Sequence, residues 1–160
     1  MTPVVAVGAI VFDAAGRTLL VQRGKPPSAG SWSVPGGKLE AHETLAQAVA
    51  REVREETGLV VEVGTLACVV ERIYDRGERG SPAESSARMD DPHPERGFHF
   101  VILDYYARVI GGTLVAQSDA IAARFVDDAE LAALPLTDGL ADVLSAARAK
   151  QPPWSTSPSP

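Results

Sequence analysis

Apolar residues run almost unbroken from Val4 to Phe12 and again from Thr18 to Gln22, with Asp13-Ala-Ala-Gly16 between them. Short β-branched runs parted by a turn cluster predict two strands and a tight connection. Runs that do not alternate fit strands covered on both faces, hence a mixed sheet between helical layers. The stretch from Arg23 to Gly37 holds three prolines and four glycines. It predicts a loop around a short extended piece at Trp32 to Val34, closing in a Gly-Gly turn. The period then becomes helical. Thr44 to Glu56 contains no Gly or Pro and sets Leu45, Val49 and Val53 at i, i+4 and i+8, the spacing of one buried helix face.

Beyond that helix, the Val-rich segment Leu59 to Tyr74 predicts a strand pair or one long bent strand. Phe98 to Ile110 predicts a strand that meets Thr113 to Ala116 through a two-residue Gly111-Gly112 hairpin. Alternation places His99 and Tyr105 on one face of it, with Phe98, Phe100, Asp104 and Tyr106 on the other. Ala122 to Val126 is the last strand. Asp127 or Asp128 caps a short helix through Ala133, Pro135 ends it, and Thr137 opens another that buries Leu140, Val143, Leu144 and Ala147. This order suits an α/β fold, an α/β/α sandwich around a mixed, partly antiparallel sheet. Residues 1–150 form one domain, and residues 151–160 are expected to be a disordered tail, in which Trp154 stands without an assigned role.

Composition narrows the function. A chain of 160 residues, 45% hydrophobic, is enough for one core and too little for two. No apolar run approaches the roughly 20 residues of a membrane span, and MTPVVAVG lacks the basic segment of a secretory signal, so a cytoplasmic protein is expected. The single Cys68 cannot form an internal disulfide, and its apolar neighbours mark it as a buried small residue rather than a nucleophile. A net charge of −6 counts against a nucleic-acid polymer or a membrane as partner. A small anionic nucleotide remains compatible, because a bound cation reverses the local field. A homodimer is neither implied nor excluded. No P-loop, dinucleotide-binding glycine pattern, zinc spacing or nucleophile elbow competes for the chemistry.

The acidic residues of the first helix do suggest chemistry. At about 100° per residue, Glu52 and Glu56 lie roughly 40° apart, Glu55 flanks them, and all three border the apolar stripe. At a separation of about 5 Å and an effective dielectric near 20, each pair repels by about 3 kcal/mol, so a partly buried cluster calls for a cation. Hard oxygen donors select Mg²⁺ or Mn²⁺, which shares its shell with substrate phosphates. The alternative is a solvated acidic face on an amphipathic helix.

The full spacing is G-x5-E-x7-R-E-U-x-E-E-x-G-U with U apolar, filled by Gly37, Glu43, Arg51, Glu52, Val53, Glu55, Glu56, Gly58 and Leu59. It resembles the Nudix box of the Nudix hydrolases at every fixed position. The resemblance implies that Glu52, Glu55 and Glu56 coordinate divalent metal with the Gly37 carbonyl, while Glu43 and Arg51 hold the loop-helix-loop together. Elementary electrostatics agrees: Glu43 precedes the positive end of the helix dipole, and Arg51 stands one turn before Glu55. Gly58 suits a left-handed helix terminus.

The likeness runs from about Pro3 to Ala149. RGKPPSAGSWSVPGGKLE, FVILDYYARVIGGTL and DAIAARFVDDAELAALPL look like short bacterial Nudix proteins described as ADP-ribose pyrophosphatase-like. The activity implied is hydrolysis of a nucleoside diphosphate linked to another moiety, with ADP-ribose giving AMP and ribose 5-phosphate. A MutT-like pyrophosphatase, taking 8-oxo-dGTP or dNTP to the monophosphate and pyrophosphate, is the alternative, and a non-catalytic nucleotide-binding module is the third reading. The downstream proline of many ADP-ribose hydrolases is absent near Asp75, and Tyr74 stands near the position linked to dinucleoside polyphosphate hydrolases. Arg23 and Lys25 are candidate phosphate contacts. Trp32 stands either as a base-stacking residue or as a core anchor. The general base is either a box glutamate or a carboxylate on a separate loop. Arg76 to Arg96, with Glu78, Glu84, Asp90, Asp91 and Glu95, is a lid or a mobile loop tip.

Overall fold

A computed structural model describes residues 2–24, 29–74 and 98–154. Lys25 and the carboxylates expected on a lid at 76–96 lie outside the described residues, as does the tail from 155 onward. The elements are β1 (Val4–Val11), β2 (Thr18–Arg23), β3 (Trp32–Ser33), β4 (Gly36–Lys38), α1 (Leu45–Thr57), β5 (Leu59–Tyr74), β6 (Phe98–Gly112), β7 (Ala120–Val126), α2 (Asp128–Ala133) and α3 (Leu140–Lys150).

Two sheets carry the fold. One has the order β4-β1-β6-β5, with β1 and β6 parallel and the outer pairs antiparallel; the other is antiparallel, in the order β3-β2-β7. The mixed character expected of the sheet is present. The unbroken apolar run of β1 is covered on both faces. Val7, Ala9 and Val11 pack with Ala48, Val49 and Val53 of α1, and Ile10 packs with Tyr106 and with Leu140, Leu144 and Ala147 of α3. Two helical layers therefore enclose the sheet.

Two glycine pairs behave otherwise than expected. Gly36-Gly37 is not a turn. It belongs to β4, paired with β1 through Gly8↔Gly36 and Val7↔Gly37. A side chain at Gly36 would strike the Val7 carbonyl, and one at Gly37 the Glu52 carboxyl, so both glycines serve close approach within a strand. Gly111-Gly112 is likewise no hairpin turn, since it pairs with Val60 and Leu59 at the end of β6. Residues beyond it cap α1 instead: Val115 N–H donates to the Thr57 carbonyl at 2.9 Å and Gln117 N–H to that of Glu56 at 3.0 Å. A helix end needs such partners for its last carbonyls, and here they come from Val115, in the segment read as a strand, and from Gln117 just beyond it.

Leu59–Tyr74 is one strand whose register shifts at three places. The last helix starts at Leu140 behind a left-handed Gly139, and Thr137 lies in the preceding turn. Asp127 caps α2 in a capping box with Glu130. Cys68 is half-buried rather than buried. Trp154, left without a role by the sequence, packs beside the α3 core cluster, with the Arg108 guanidinium 4.9 Å from its ring centroid.

Candidate active site

The acidic helix is well specified locally. Thr44 accepts from the Gln47 N–H while Gln47 reaches back to the Thr44 N–H, a reciprocal capping box. Gly58, at φ 72°, ends the helix and donates to the Arg54 carbonyl at 3.0 Å. The left-handed terminus at Gly58 was anticipated from the residue type, whereas Thr44, read as the first helical residue, proves to be the N-cap.

Arg51 organises the cluster. Its guanidinium donates to both Glu43 oxygens (2.9 and 2.7 Å), to the Lys38 carbonyl (3.1 Å), to Glu52 Oε1 (2.8 Å) and to Glu55 Oε2 (3.3 Å). Glu43 therefore works less on the helix dipole than as an anchor: it also accepts from the Glu40 N–H at 2.8 Å, and the Arg51 hydrogen bonds hold its carboxyl down at about 2. This network ties the loop, β4 and α1 together.

The other carboxylates are pushed the opposite way. Burial raises Glu52 above the usual range against the pull of Arg51. Burial also pushes Glu56 up to about 7; the Gly36 N–H and Arg23 oppose this, and the nearby charges of Glu52 and Asp119 add to it. The Gly36 N–H donates to Glu56 Oε2 at 3.0 Å. Among the described residues no three His, Cys, Asp or Glu side chains form a closed metal cage, since Arg51 draws Glu52 and Glu55 to itself. The donor set nonetheless fits a hard divalent ion. Two desolvated carboxylates lie against the glycine pair, Glu52 beside side-chain-free Gly37 and Glu56 on the Gly36 N–H, and Glu55 is exposed one residue before Glu56.

The other sequence candidates divide. Arg23, at the end of β2, acts electrostatically on Glu56 and so lies at the site. Trp32 does not offer a face to a base. It is 6% exposed in the α3-side core, with Arg124 5.1 Å from its ring centroid, and its backbone bonds to Pro135 and Thr137. Sequence reasoning missed Asp119, which precedes β7 and reaches the site because its carbonyl accepts from Gly24 N–H at 2.9 Å beside Arg23. No spacing links it to the box; only the pairing of β2 with β7 brings it there.

Comparison with known proteins adds an independent finding. Residues 2–147 match the NUDIX domain family. The chain is 35% identical over 125 residues to an ADP-ribose pyrophosphatase of Methanocaldococcus jannaschii, covering 78% of this chain and 62% of that protein. It is 39% identical over 112 residues to the 8-oxo-dGDP phosphatase NUDT18 of Mus musculus, covering 70% of this chain and 27% of that one. It thus spans less than two thirds of these relatives. A MutT NUDIX hydrolase from Burkholderia pseudomallei superposes with a TM-score of 0.67 at 28% identity, covering 91% of this chain and 98% of that one.

Proposed function

The chain belongs to the NUDIX domain family, and on that premise we propose that it hydrolyses the diphosphate linkage of a nucleoside diphosphate joined to a second group, with divalent metal. The observation that carries this reading is the pair of desolvated carboxylates, Glu52 and Glu56, set against the side-chain-free backbone of Gly36 and Gly37. Charge held out of water at such a cost is useful where a cation and its phosphates arrive together. Mg²⁺ or Mn²⁺ bound by Glu52, Glu55, Glu56 and the Gly37 carbonyl would polarise the diphosphate and acidify an attacking water.

The protein's own groups divide the remaining work. Arg51 orients Glu52 and Glu55 through Nη1. Gly36 N–H fixes Glu56, and Arg23 adds positive charge on the side where phosphate oxygens would lie. The substrate is ADP-ribose, giving AMP and ribose 5-phosphate; the likeness to an ADP-ribose pyrophosphatase over 78% of the chain supports this choice. A MutT-like action on 8-oxo-dGTP or another triphosphate is the second reading, favoured by the likeness to an 8-oxo-dGDP phosphatase and to a MutT protein.

A panel of ADP-ribose, 8-oxo-dGTP, dNTPs and diadenosine polyphosphates, ranked by kcat/KM with products identified, tests the assignment. ADP-ribose is expected to lead, with AMP released. A tenfold preference for a triphosphate, with pyrophosphate as product, would transfer the protein to the second reading. Glu55→Gln and Glu56→Gln should each cut turnover by roughly a hundredfold or more, since even the groups behind metal ligands are worth about 10–100-fold. Near-normal turnover by both variants would remove these residues from the chemistry.

A further inference from the structure

Arg23 acts on Glu56 by its charge, yet it stands at the end of β2, outside the box and the helix that carries the acids. Its main chain is held on two sides. On the β3 side its N–H donates to the Ser31 carbonyl at 3.0 Å, and its carbonyl accepts from the Gly30 N–H at 2.8 Å. On the β7 side it pairs with Ala120, and the following Gly24 N–H donates to the Asp119 carbonyl at 2.9 Å. Gly24 permits this approach because it has no side chain. A β-carbon there would come within 2.9 Å of the Asp119 carbonyl oxygen and 2.6 Å of Ile121 Cγ2.

The β2–β7 register breaks at the same point. Gln22 pairs with Ala122 and Arg23 with Ala120, which leaves the exposed Ile121 as the extra residue of a bulge. Bulges re-aim side chains and end pairing, often beside active sites. The chain just before this one leads back to the acidic helix. Ala120 N–H donates to the Gln117 carbonyl at 3.1 Å, closing a four-residue turn whose first central residue, Ser118, is left-handed at φ 56°. Glycine is the usual occupant of such a place, since a β-carbon is crowded there. At the head of the turn, the Gln117 N–H donates to the Glu56 carbonyl at 3.0 Å. A continuous backbone circuit therefore runs from Glu56 through Gln117, Ser118 and Asp119 to Gly24 and Arg23.

We propose that residues 117–119 form a positioning strap, with Ser118 and Gly24 as positioning residues, which sets Arg23 against Glu56 so that its guanidinium receives a substrate phosphate oxygen. This rests on the diphosphate-hydrolase reading. The turn at Ser118 fixes the direction in which the chain leaves the Glu56 carbonyl, and Gly24 fixes how closely β2 approaches it. The strap thereby acts through Arg23 and touches no substrate itself.

The test measures kcat, KM and Tm with Mg²⁺, on the nucleotide hydrolysed best, for wild type, Arg23→Ala, Ser118→Gly, Ser118→Pro and Gly24→Ala, and for the last two each combined with Arg23→Ala. Proline locks φ near −65° and cannot make the turn at Ser118, whereas glycine can. Arg23→Ala, Ser118→Pro and Gly24→Ala should each raise KM by about tenfold, the worth of one charge-assisted hydrogen bond, with kcat within about threefold. Ser118→Gly should stay within about twofold of wild type in both constants, because the left-handed turn survives. In the Arg23→Ala background the two strap substitutions should add less than about twofold to KM, since the group they position is gone. An unchanged KM in Arg23→Ala, additive KM effects in the double variants, or a fall in Tm with KM unmoved would overturn the proposal. Should Ser118→Pro fail to fold, Gly24→Ala and its double variant decide. If wild type hydrolyses no nucleotide, the broader reading fails and the strap's role with it; hydrolysis with additive effects removes the strap alone.

Discussion

Arg51 shows how much one side chain can decide. It meets four partners across the loop, β4 and α1, and a lysine cannot reproduce that fork because an ammonium is a point donor. Arg51→Lys should cost about 1–3 kcal/mol of stability in urea unfolding, in line with charged hydrogen bonds, and should also depress turnover; unchanged stability would show the network to be ornamental. Asp104 gives a pH-dependent counterpart. Burial raises its pKa on folding from 3.8 to about 6, so its contribution is fully present below about pH 4 and is lost as pH rises through 6, a change on the order of 3 kcal/mol. Nucleotide-free wild type should therefore lose stability relative to Asp104→Asn between pH 4 and 7, and parallel denaturation curves would contradict this. At this scale the box acids could be picked out because they stand at fixed spacings along one helix. Asp119 could not, since it comes beside Arg23 only through a strand pairing distant in sequence. Trp32 was readable only as a choice in which the core anchor was favoured over the base platform, and its neighbours decide for the core.

Among elements, α1 was legible in its span and its Gly58 terminus, though Thr44 proves to be its N-cap rather than its first residue. Removing the Thr44 hydroxyl in Thr44→Ala should cost about 1 kcal/mol while leaving kcat unchanged, because the hydroxyl serves the helix start and touches none of the box carboxylates; a tenfold loss of kcat would place Thr44 in the site. Strand β4 was hidden. Gly-Gly after a proline reads as a turn by every local rule, and the reasons for these glycines lie in β1 and α1: contact with the Val7 carbonyl for Gly36 and with the Glu52 carboxyl for Gly37. The two substitutions should separate accordingly. Gly36→Ala meets backbone and should mainly lower Tm, whereas Gly37→Ala meets a side chain that can swing away and should mainly lower turnover; equal Tm losses would refute the distinction. Gly111-Gly112 misled for a similar reason, since the demand for partners at the end of α1 outweighed the local preference for a hairpin.

The whole molecule was predictable in its layers, because an apolar run covered on both faces requires two helical sides whatever the loops do. The detail along its β5 edge was not. The register shifts of β5 leave no mark on hydrophobic periodicity, and a tryptophan among prolines and serines reads as tail. Yet Trp154 rests where a β-carbon at Gly64 would come within 2.8 Å of its ring, with Arg108 over the indole and Glu62 paired to Arg108 at 2.6 Å. Strand β5, sixteen residues long, is the outermost member of its sheet. Along it Leu66, Val69 and Ile73 are 45%, 55% and 59% exposed. A bare strand of that length is a template on which a second chain can polymerise, and irregular backbone with a bulky cover is a known defence. With its indole over the irregular part of β5, Trp154 is expected to hinder edge-to-edge association of this strand. Trp154→Ser should raise light scattering at high protein concentration at temperatures where circular dichroism still reports a folded domain, and a variant that stays clear until it unfolds would show the edge to be protected by its bulges alone.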